Sequence, residues 1–178
     1  MDRSTSNQEL IKNTVTKYPG LRFHEIKKET KLANGTIQHH IGQLKKTNSL
    51  QARYVDTVPR NYSNNITADS QVILLRLRQT TTSKIIKSLL NFECQTFAQI
   101  VNYTKKSPGT VSIYKNTLLA DNIIVGNTDS CECSKDHGNK VKYRLVDPKK
   151  VRLLVEEYGK TSLAKSADNL ADIFLSIQ

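Results

Sequence analysis

Apolar residues recur every three or four positions along the first fifty residues, with polar residues between them. This spacing predicts three amphipathic helices. The predicted helices run over Asn7–Lys17, His24–Leu32 and Thr36–Lys46. The turn Pro19-Gly20 ends the first helix, and the segment KLANG separates the second from the third. We expect Gly35 to take a positive φ in that turn, and Asn34 or Thr36 to cap the third helix.

Two short segments after the third helix, ARYV and RNYS, favour strands on either side of the turn Asp56-Thr57-Val58-Pro59. They predict a β-hairpin. A short extended piece, LRF, precedes the second helix. The resulting order of helix, strand, helix, turn, helix and hairpin is that of a winged helix-turn-helix domain.

The same pattern occurs a second time, 74 positions later. FHEIKKETKLANGTIQHHIGQLKKTNSL aligns without gaps with FAQIVNYTKKSPGTVSIYKNTLLADNII, and eight of the 28 positions are identical. A duplicated domain explains this match. The second copy predicts helices over Ser83–Asn91, Ala98–Lys105 and Thr110–Asp121, and strands at CQTF, IIVG and KVKYRLV.

These elements predict a mainly α fold with small β-wings: two tandem winged helix-turn-helix domains followed by C-terminal helices. We place the first domain at residues 1–66 and the second at 67–146, where a linker and a short apolar helix, SQVILLRLRQ, come first. In the tail, residues 147–178, Asp147 and Pro148 open a helix that Gly159 is expected to break. The apolar stripes of the tail require burial, either against the protein's own domains or in a homodimer.

The formal net charge is +11 and the pI is about 9.6. Residues 1–66 carry 11 Lys/Arg and 5 Asp/Glu, residues 67–146 carry 11 and 6, and the tail carries 5 and 5. Two basic blocks and a neutral tail fit two polyanion-binding modules, although many soluble proteins are simply basic. The chain contains no apolar run long enough to span a membrane and no signal-peptide pattern, and its three cysteines fit a reducing cytoplasmic compartment.

The third helix of the first copy carries the side chains best suited to DNA. Thr36 and the helix N-terminal amides suit phosphate, and Gln38 can pair with adenine N6 and N7. His40 is expected either to be half-buried and structural or to contact phosphate. The candidate DNA contacts in this copy are Asn34, Thr36, Gln38, His39, His40, Gln43, Lys45 and Lys46, with Arg53 and Arg60 in the hairpin.

The second copy offers a weaker set of DNA contacts. Its candidates are Ser107, Thr110, Ser112, Tyr114 and Lys115 in the helix, and Lys140, Lys142 and Arg144 alternating along the last strand. The alternative for that strand is an ordinary solvated face. Lys115 stands where the first copy has Ile41. Either its stem is buried and its ammonium reaches the surface, or the helix turns so that Ile113 faces inward.

A loop rich in metal-binding residue types lies between the two predicted strands of the second wing. Cys131, Cys133 and His137 could hold zinc, with Cys94 or a second subunit completing the shell, or the cysteines could form a redox pair. An ordinary reduced loop is the alternative. His39 and His40 lack the i, i+4 spacing of helical metal ligands, and no catalytic constellation accompanies them, so we expect no enzyme.

Several stretches together resemble the archaeal tandem winged-helix transcription regulators, whose fold is related to that of ArsR-type and MarR-type repressors. They are PGLRFHEIKKETKLANGTIQHHIGQLKK in the first copy and LRQTTTSKIIKSLL, SPGTVSIYKNTLLADNIIV and VKYRLVDPKKVRLLVEEY in the second. The resemblance implies a regulator of transcription that binds double-stranded DNA. Two other functions stay open: a winged-helix scaffold for protein interactions in a transcription complex, and a metal- or redox-responsive repressor that uses the Cys131 loop.

Overall fold

A computed structural model of the protein describes residues 3–55, 58–127 and 141–162. The chain divides into two compact units, Met1–Leu74 and Leu75–Gln178. Eight helices and two small antiparallel sheets make up the described part, which is therefore mainly helical. None of the helices in these ranges is long and apolar enough to cross a membrane.

The first unit is a three-helix cluster followed by a hairpin. Its elements are α1 (Arg3–Lys17), α2 (Phe23–Thr30), α3 (Asn34–Lys46), β1 (Leu50–Val55) and β2 (Val58–Ser63), and α4 (Ala68–Arg78) begins here. The core consists mainly of buried aliphatic side chains from the three helices, among them Ile11, Val15, Ile26, Ile37 and Leu44. Their three- and four-residue spacing is the reason that the helices were predictable.

The hairpin is tighter than the sequence predicted. Val55 pairs with Val58, and Pro59 lies in β2 opposite Tyr54. The placement of Val58 and Pro59 in the turn was therefore wrong. Leu21 forms a bridge to Asn61, which joins the segment before α2 to the hairpin.

The second unit repeats this order of elements. It contains α5 (Thr80–Asn91), β3 (Gln95–Thr96), α6 (Phe97–Thr104), α7 (Pro108–Ala120), β4 (Ile124–Asn127), β5 (Lys142–Leu145) and α8 (Pro148–Ser162). The strands form one antiparallel sheet in the order β3-β5-β4. Buried aliphatic residues of α5, α6 and α7 form its interior, including Ile85, Ile86, Ile100, Val111 and Leu118.

The second and third helices of the two units correspond position by position at an offset of 74. The bounds of α2 and α6 differ by 74 residues at both ends, as do those of α3 and α7. Left-handed residues follow the same offset, with Lys31 and Lys105 after the second helix of each unit and Asn48 and Asn122 after the third. The second and third helices of the two units thus have the same lengths and end in the same turns, whereas α1 has 15 residues and α5 has 12.

Two expectations about helix ends were wrong in the first unit. Gly35 lies inside α3, and the positive φ (57°) before that helix belongs to Lys31. The N-cap of α3 is Ala33, which makes no side-chain hydrogen bond, so neither Asn34 nor Thr36 caps the helix. The chain reverses direction at the C-cap of α2 instead, where the Lys31 amide donates to the Lys27 carbonyl.

The start of α8 matches its prediction and its end does not. The Asp147 carboxylate accepts the Lys150 amide at 2.8 Å, as expected of a cap. Gly159 lies within α8 and does not break it. A helical glycine costs only about 1 kcal/mol relative to alanine, and the burial of Val155 and Tyr158 just before it outweighs that cost.

Candidate nucleic-acid interface

Helix α3 has one buried side and one exposed side. Ile37, His40, Ile41 and Leu44 face the core. The outer face of α3, as we call it, comprises the exposed residues Asn34, Gly35, Gln38, His39, Gln43 and Lys46. It presents amide, imidazole and ammonium groups along a single helix, which is the set of groups that can contact base edges and phosphates.

The described residues leave space beside both glycines of α3, Gly35 in the outer face and the half-buried Gly42. A Cβ built on Gly35 or Gly42 would meet no atom within 4 Å. Residues 30–55, which include α3 and β1, contain four cations, Lys31, Lys45, Lys46 and Arg53, and no Asp or Glu. Helix α3 and strand β1 therefore carry no acidic group that would repel a polyanion. This absence of acidic residues is visible in the sequence itself.

His40 is not part of the outer face. It is only 5% exposed, and its ring meets that of His39 edge-on at 5.2 Å. Its Nδ1 has no hydrogen-bond partner among the described residues. Of the two roles expected for His40, the structural one therefore holds. The assignment of His40 as a DNA contact was wrong. His40 lies on the buried side of α3, together with Ile37 and Ile41.

Arg60 also serves the fold. Its side chain is 8% exposed, and Nη1 donates to the Gly20 carbonyl at 2.9 Å. The assignment of Arg60 as a surface DNA contact was therefore wrong, because its guanidinium ties β2 to the turn after α1. Arg53, opposite Arg60 in the hairpin, is half-buried and donates to the Ala68 carbonyl at 3.2 Å.

One residue near the tip of the hairpin was not predicted. Tyr54 is 70% exposed, the largest exposure among the large hydrophobic residues of the described chain. It lies next to Arg53 in β1. Neighbouring side chains of a strand point to opposite faces, so the exposed Tyr54 ring is by itself a suitable group to contact a nucleic-acid groove.

Helix α7 differs from α3 in how it begins and in what it exposes. Ser107 caps it by accepting the Thr110 amide at 3.3 Å, and the two hydroxyls lie 2.8 Å apart. Ser112, Tyr114 and Lys115 are half-buried. The exposed side of α7 therefore carries fewer hydrogen-bonding groups than the outer face of α3.

The structure decides between the two alternatives for Lys115. Its Nζ donates to the Tyr143 hydroxyl at 3.3 Å and lies 5.0 Å and 5.8 Å from the ring centroids of Tyr143 and Phe97. Ile113 is 67% exposed. The stem of Lys115 thus takes the inward place that Ile41 has in the first unit, and its ammonium is stabilised by two aromatic faces.

The alternation predicted for the last strand is present where the structure describes it. Tyr143 and Leu145 are buried, Lys142 is half-buried and Arg144 is exposed. Lys142 and Arg144 therefore lie on the outward side of β5. Lys140 lies outside the described residues, so its place on this face stays a prediction.

The predicted metal ligands Cys131, Cys133 and His137 also lie outside the described residues. Within those residues, no group of three His, Cys, Asp or Glu side chains is placed to hold a metal ion. Cys94, considered as an additional ligand, is disulfide-bonded. Its sulfur therefore does not carry the thiolate that zinc requires, and the expectation that the cysteines are reduced was wrong for Cys94.

Comparison with known families bears on the first unit. Residues 5–74 match the family model HTH_HVO_0163_N, described as an N-terminal HTH domain. The first unit contains a helix-turn-helix domain. A search of curated proteins found no match for the chain. In this helix-turn-helix domain, α2 and α3 are the two helices on either side of the turn at Lys31, and the outer face belongs to the second of them.

The family match supports a coarse functional conclusion. A helix-turn-helix domain indicates DNA binding and the regulation of transcription, and it points to a protein that is not an enzyme. In domains of this kind the second helix enters the major groove. The exposed groups described above lie on that helix.

Proposed function

We propose that the protein is a transcription regulator that reads double-stranded DNA with tandem winged helices, residues 1–66 and 67–146, with residues 147–178 packing on them or joining two subunits. The outer face of α3 carries the proposal, because it places Gln38, His39 and Gln43 on the second helix of a helix-turn-helix domain. The shared element bounds at an offset of 74 support a second domain of the same kind.

Each candidate residue then has a role set by its position. Gln38 and His39 contact base edges, and Gln43 contacts bases or backbone. Asn34, Thr36, Lys45 and Lys46 contact phosphate, and Arg53 and Tyr54 extend the contact along the hairpin. In the second domain, Ser107, Thr110, Lys142 and Arg144 contact phosphate. Such a regulator would act in the cytoplasm, beside the chromosome.

The test is the salt dependence of binding to a duplex of random sequence. Phosphate contacts release counterions, so the affinity should fall steeply as salt rises, by about 0.9 in log K per contact and per unit of log salt. Lys46→Gln removes one cation from the outer face and should lower this slope by about one contact. Lys12→Gln, an exposed cation on α1 of the same domain, is the matched control and should leave the slope unchanged.

Binding that ignores salt, or no binding to duplex DNA at low salt, would contradict the proposal. Equal slopes for Lys46→Gln and Lys12→Gln would contradict the assignment of the outer face, because the two variants remove the same charge from different places.

A further inference from the structure

Helix α7 carries an exposed apolar side chain where α3 carries an imidazole. At the offset of 74, Ile113 corresponds to His39, and both are exposed. Ile113 is 67% exposed, whereas Val111 and Leu118 of the same helix are fully buried. Ile113 therefore contributes nothing to the core of its unit, and its apolar surface stays in water unless a ligand covers it.

The neighbours of Ile113 along the exposed side of α7 have smaller side chains. Gly109, Ile113, Asn116 and Ala120 are all exposed and follow each other at spacings of four, three and four, which places them in one stripe along α7. A Cβ on Gly109 would meet no atom within 4 Å. Ile113 is thus the one large side chain of this stripe, and a surface can approach the helix closely on both sides of it.

The polar groups of α7 are largely used within the helix. The Thr117 hydroxyl donates to the Ile113 carbonyl at 3.1 Å, and the Ser107 and Thr110 hydroxyls contact each other. Near Ile113, the exposed Asn116 and the half-buried Ser112 and Tyr114 remain to form hydrogen bonds with a partner. Helix α7 exposes no glutamine or histidine, so the hydrogen-bonding readout proposed for α3 is not repeated in α7.

The charge around the stripe favours a polyanion as its partner. Residues 94–120 contain Lys105, Lys106 and Lys115 and no Asp or Glu. Lys105 and Lys106 are exposed in the turn immediately before α7. An apolar protein surface would not require these cations, whereas double-stranded DNA combines phosphates with a single apolar feature in its major groove, the 5-methyl group of thymine.

We propose that Ile113 is a specificity-determining residue of the second domain and that it reads thymine by apolar contact with the 5-methyl group. This inference rests on the proposed function, because it requires that α7 lie in the major groove. In this proposal, α3 recognises its part of the DNA sequence through hydrogen bonds, and α7 recognises its part through a contact with a thymine methyl group.

The experiment begins with the selection of bound duplexes from a random pool by the full chain. Each thymine of the selected site is then replaced by deoxyuridine, which keeps the base pair and removes only the methyl group. For the wild type, at least one replacement should weaken binding about fourfold, the effect of losing one buried methyl. Ile113→Ala should bind the thymine duplex more weakly and lose its sensitivity to that replacement.

Leu153→Ala is the matched control, since Leu153 is 64% exposed on α8 of the same unit. It should keep the wild-type sensitivity at every thymine. Circular dichroism should give the same helix content for both variants, because neither side chain is in the core.

Two results would overturn the inference and leave the proposed function standing. In one, the wild type selects a sequence, but no thymine replacement weakens its binding. In the other, a replacement weakens wild type and Ile113→Ala equally, which would result if the stripe docked onto a protein instead. Failure of the wild type to select any sequence would overturn both the inference and the proposed function.

Discussion

Replacement of Gly20 by alanine should destabilise the first unit, because this glycine holds the hairpin against the helices. Its φ is +82°, and a Cβ there would come within 3.1 Å of the Tyr62 hydroxyl and 3.2 Å of its ring. The Gly20 amide also donates to the Asn61 carbonyl at 2.8 Å, and the Gly20 carbonyl accepts from Arg60. The turn therefore cannot move without breaking its contacts with β2.

The size of the effect follows from these contacts. A left-handed conformation costs a residue with a Cβ about 1–2 kcal/mol. The contact with Tyr62, which is fully buried, adds about 1 kcal/mol or more of overpacking. Alanine restricts the unfolded chain and returns about 0.4–1 kcal/mol. The free energy of unfolding should fall by about 2 kcal/mol.

Urea unfolding of the full chain, followed by circular dichroism, measures this change, and hydrogen exchange of the α1 and hairpin amides places it in the first unit. Gly42→Ala is the control. Gly42 lies within α3, and its Cβ would meet nothing within 4 Å, so alanine should stabilise the unit by about 1 kcal/mol. The reasoning would be refuted if Gly20→Ala had the same free energy of unfolding as the wild type, or if Gly42→Ala had a lower one.

Three further predictions concern buried polar groups. Arg60→Ala should destabilise the first unit by about 2 kcal/mol, because it leaves a buried carbonyl without its charged donor; equal urea midpoints for variant and wild type would contradict this. Lys115→Met keeps the stem but loses the ammonium contacts with Tyr143, so it should lower the free energy of unfolding by about 1 kcal/mol. An unchanged or higher free energy of unfolding in the same titration would show that these contacts do not stabilise the unit. Burial, aided by the neighbouring Glu157 carboxylate, raises the pKa of Tyr158 to about 12. Stability should therefore be complete below pH 10 and fall between pH 10 and about 12 in a denaturation series, and Tyr158→Phe should fall less steeply than wild type over that window.

The helices were predictable because their apolar spacing is regular and local. Ile37, Ile41 and Leu44 lie three and four positions apart, and all three are buried as expected. The errors concern contacts between distant parts of the chain. Arg60 looks like a surface cation until its partner Gly20, 40 residues earlier, is known. The two alternatives for Lys115 depended on Tyr143, 28 residues later.

Helix ends were harder to predict than helix interiors. Gly35 was expected at the left-handed position because glycine has the lowest cost there, yet Lys31 occupies it. The hydrogen bond from the Lys31 amide to the Lys27 carbonyl, which ends α2, offsets the conformational energy of a left-handed lysine. The second unit has a lysine at the equivalent position, Lys105, with the same conformation. Comparison of the two copies does not identify this position from the sequence, because they share a glycine at Gly35 and Gly109 as well as a lysine at Lys31 and Lys105.

The candidate interface was predictable as a helix face but not in its exact membership. Gln38, His39 and Gln43 are exposed as their spacing requires. The burial of His40 depends on the exact rotation of α3 against the core, which the spacing of the apolar residues does not determine by itself.

The most direct test of the account is the affinity of the full chain for its selected duplex, compared with that of Gln38→Ala. Gln38 is exposed in the middle of the outer face, and loss of a bidentate contact to adenine should weaken binding by about 1–3 kcal/mol. The same variant should bind a scrambled duplex as the wild type does. Asn13→Ala, exposed on α1 of the same domain, should bind both duplexes normally. If Gln38→Ala bound the selected duplex as tightly as Asn13→Ala does, α3 would not be the helix that reads the sequence, and the central claim would be wrong.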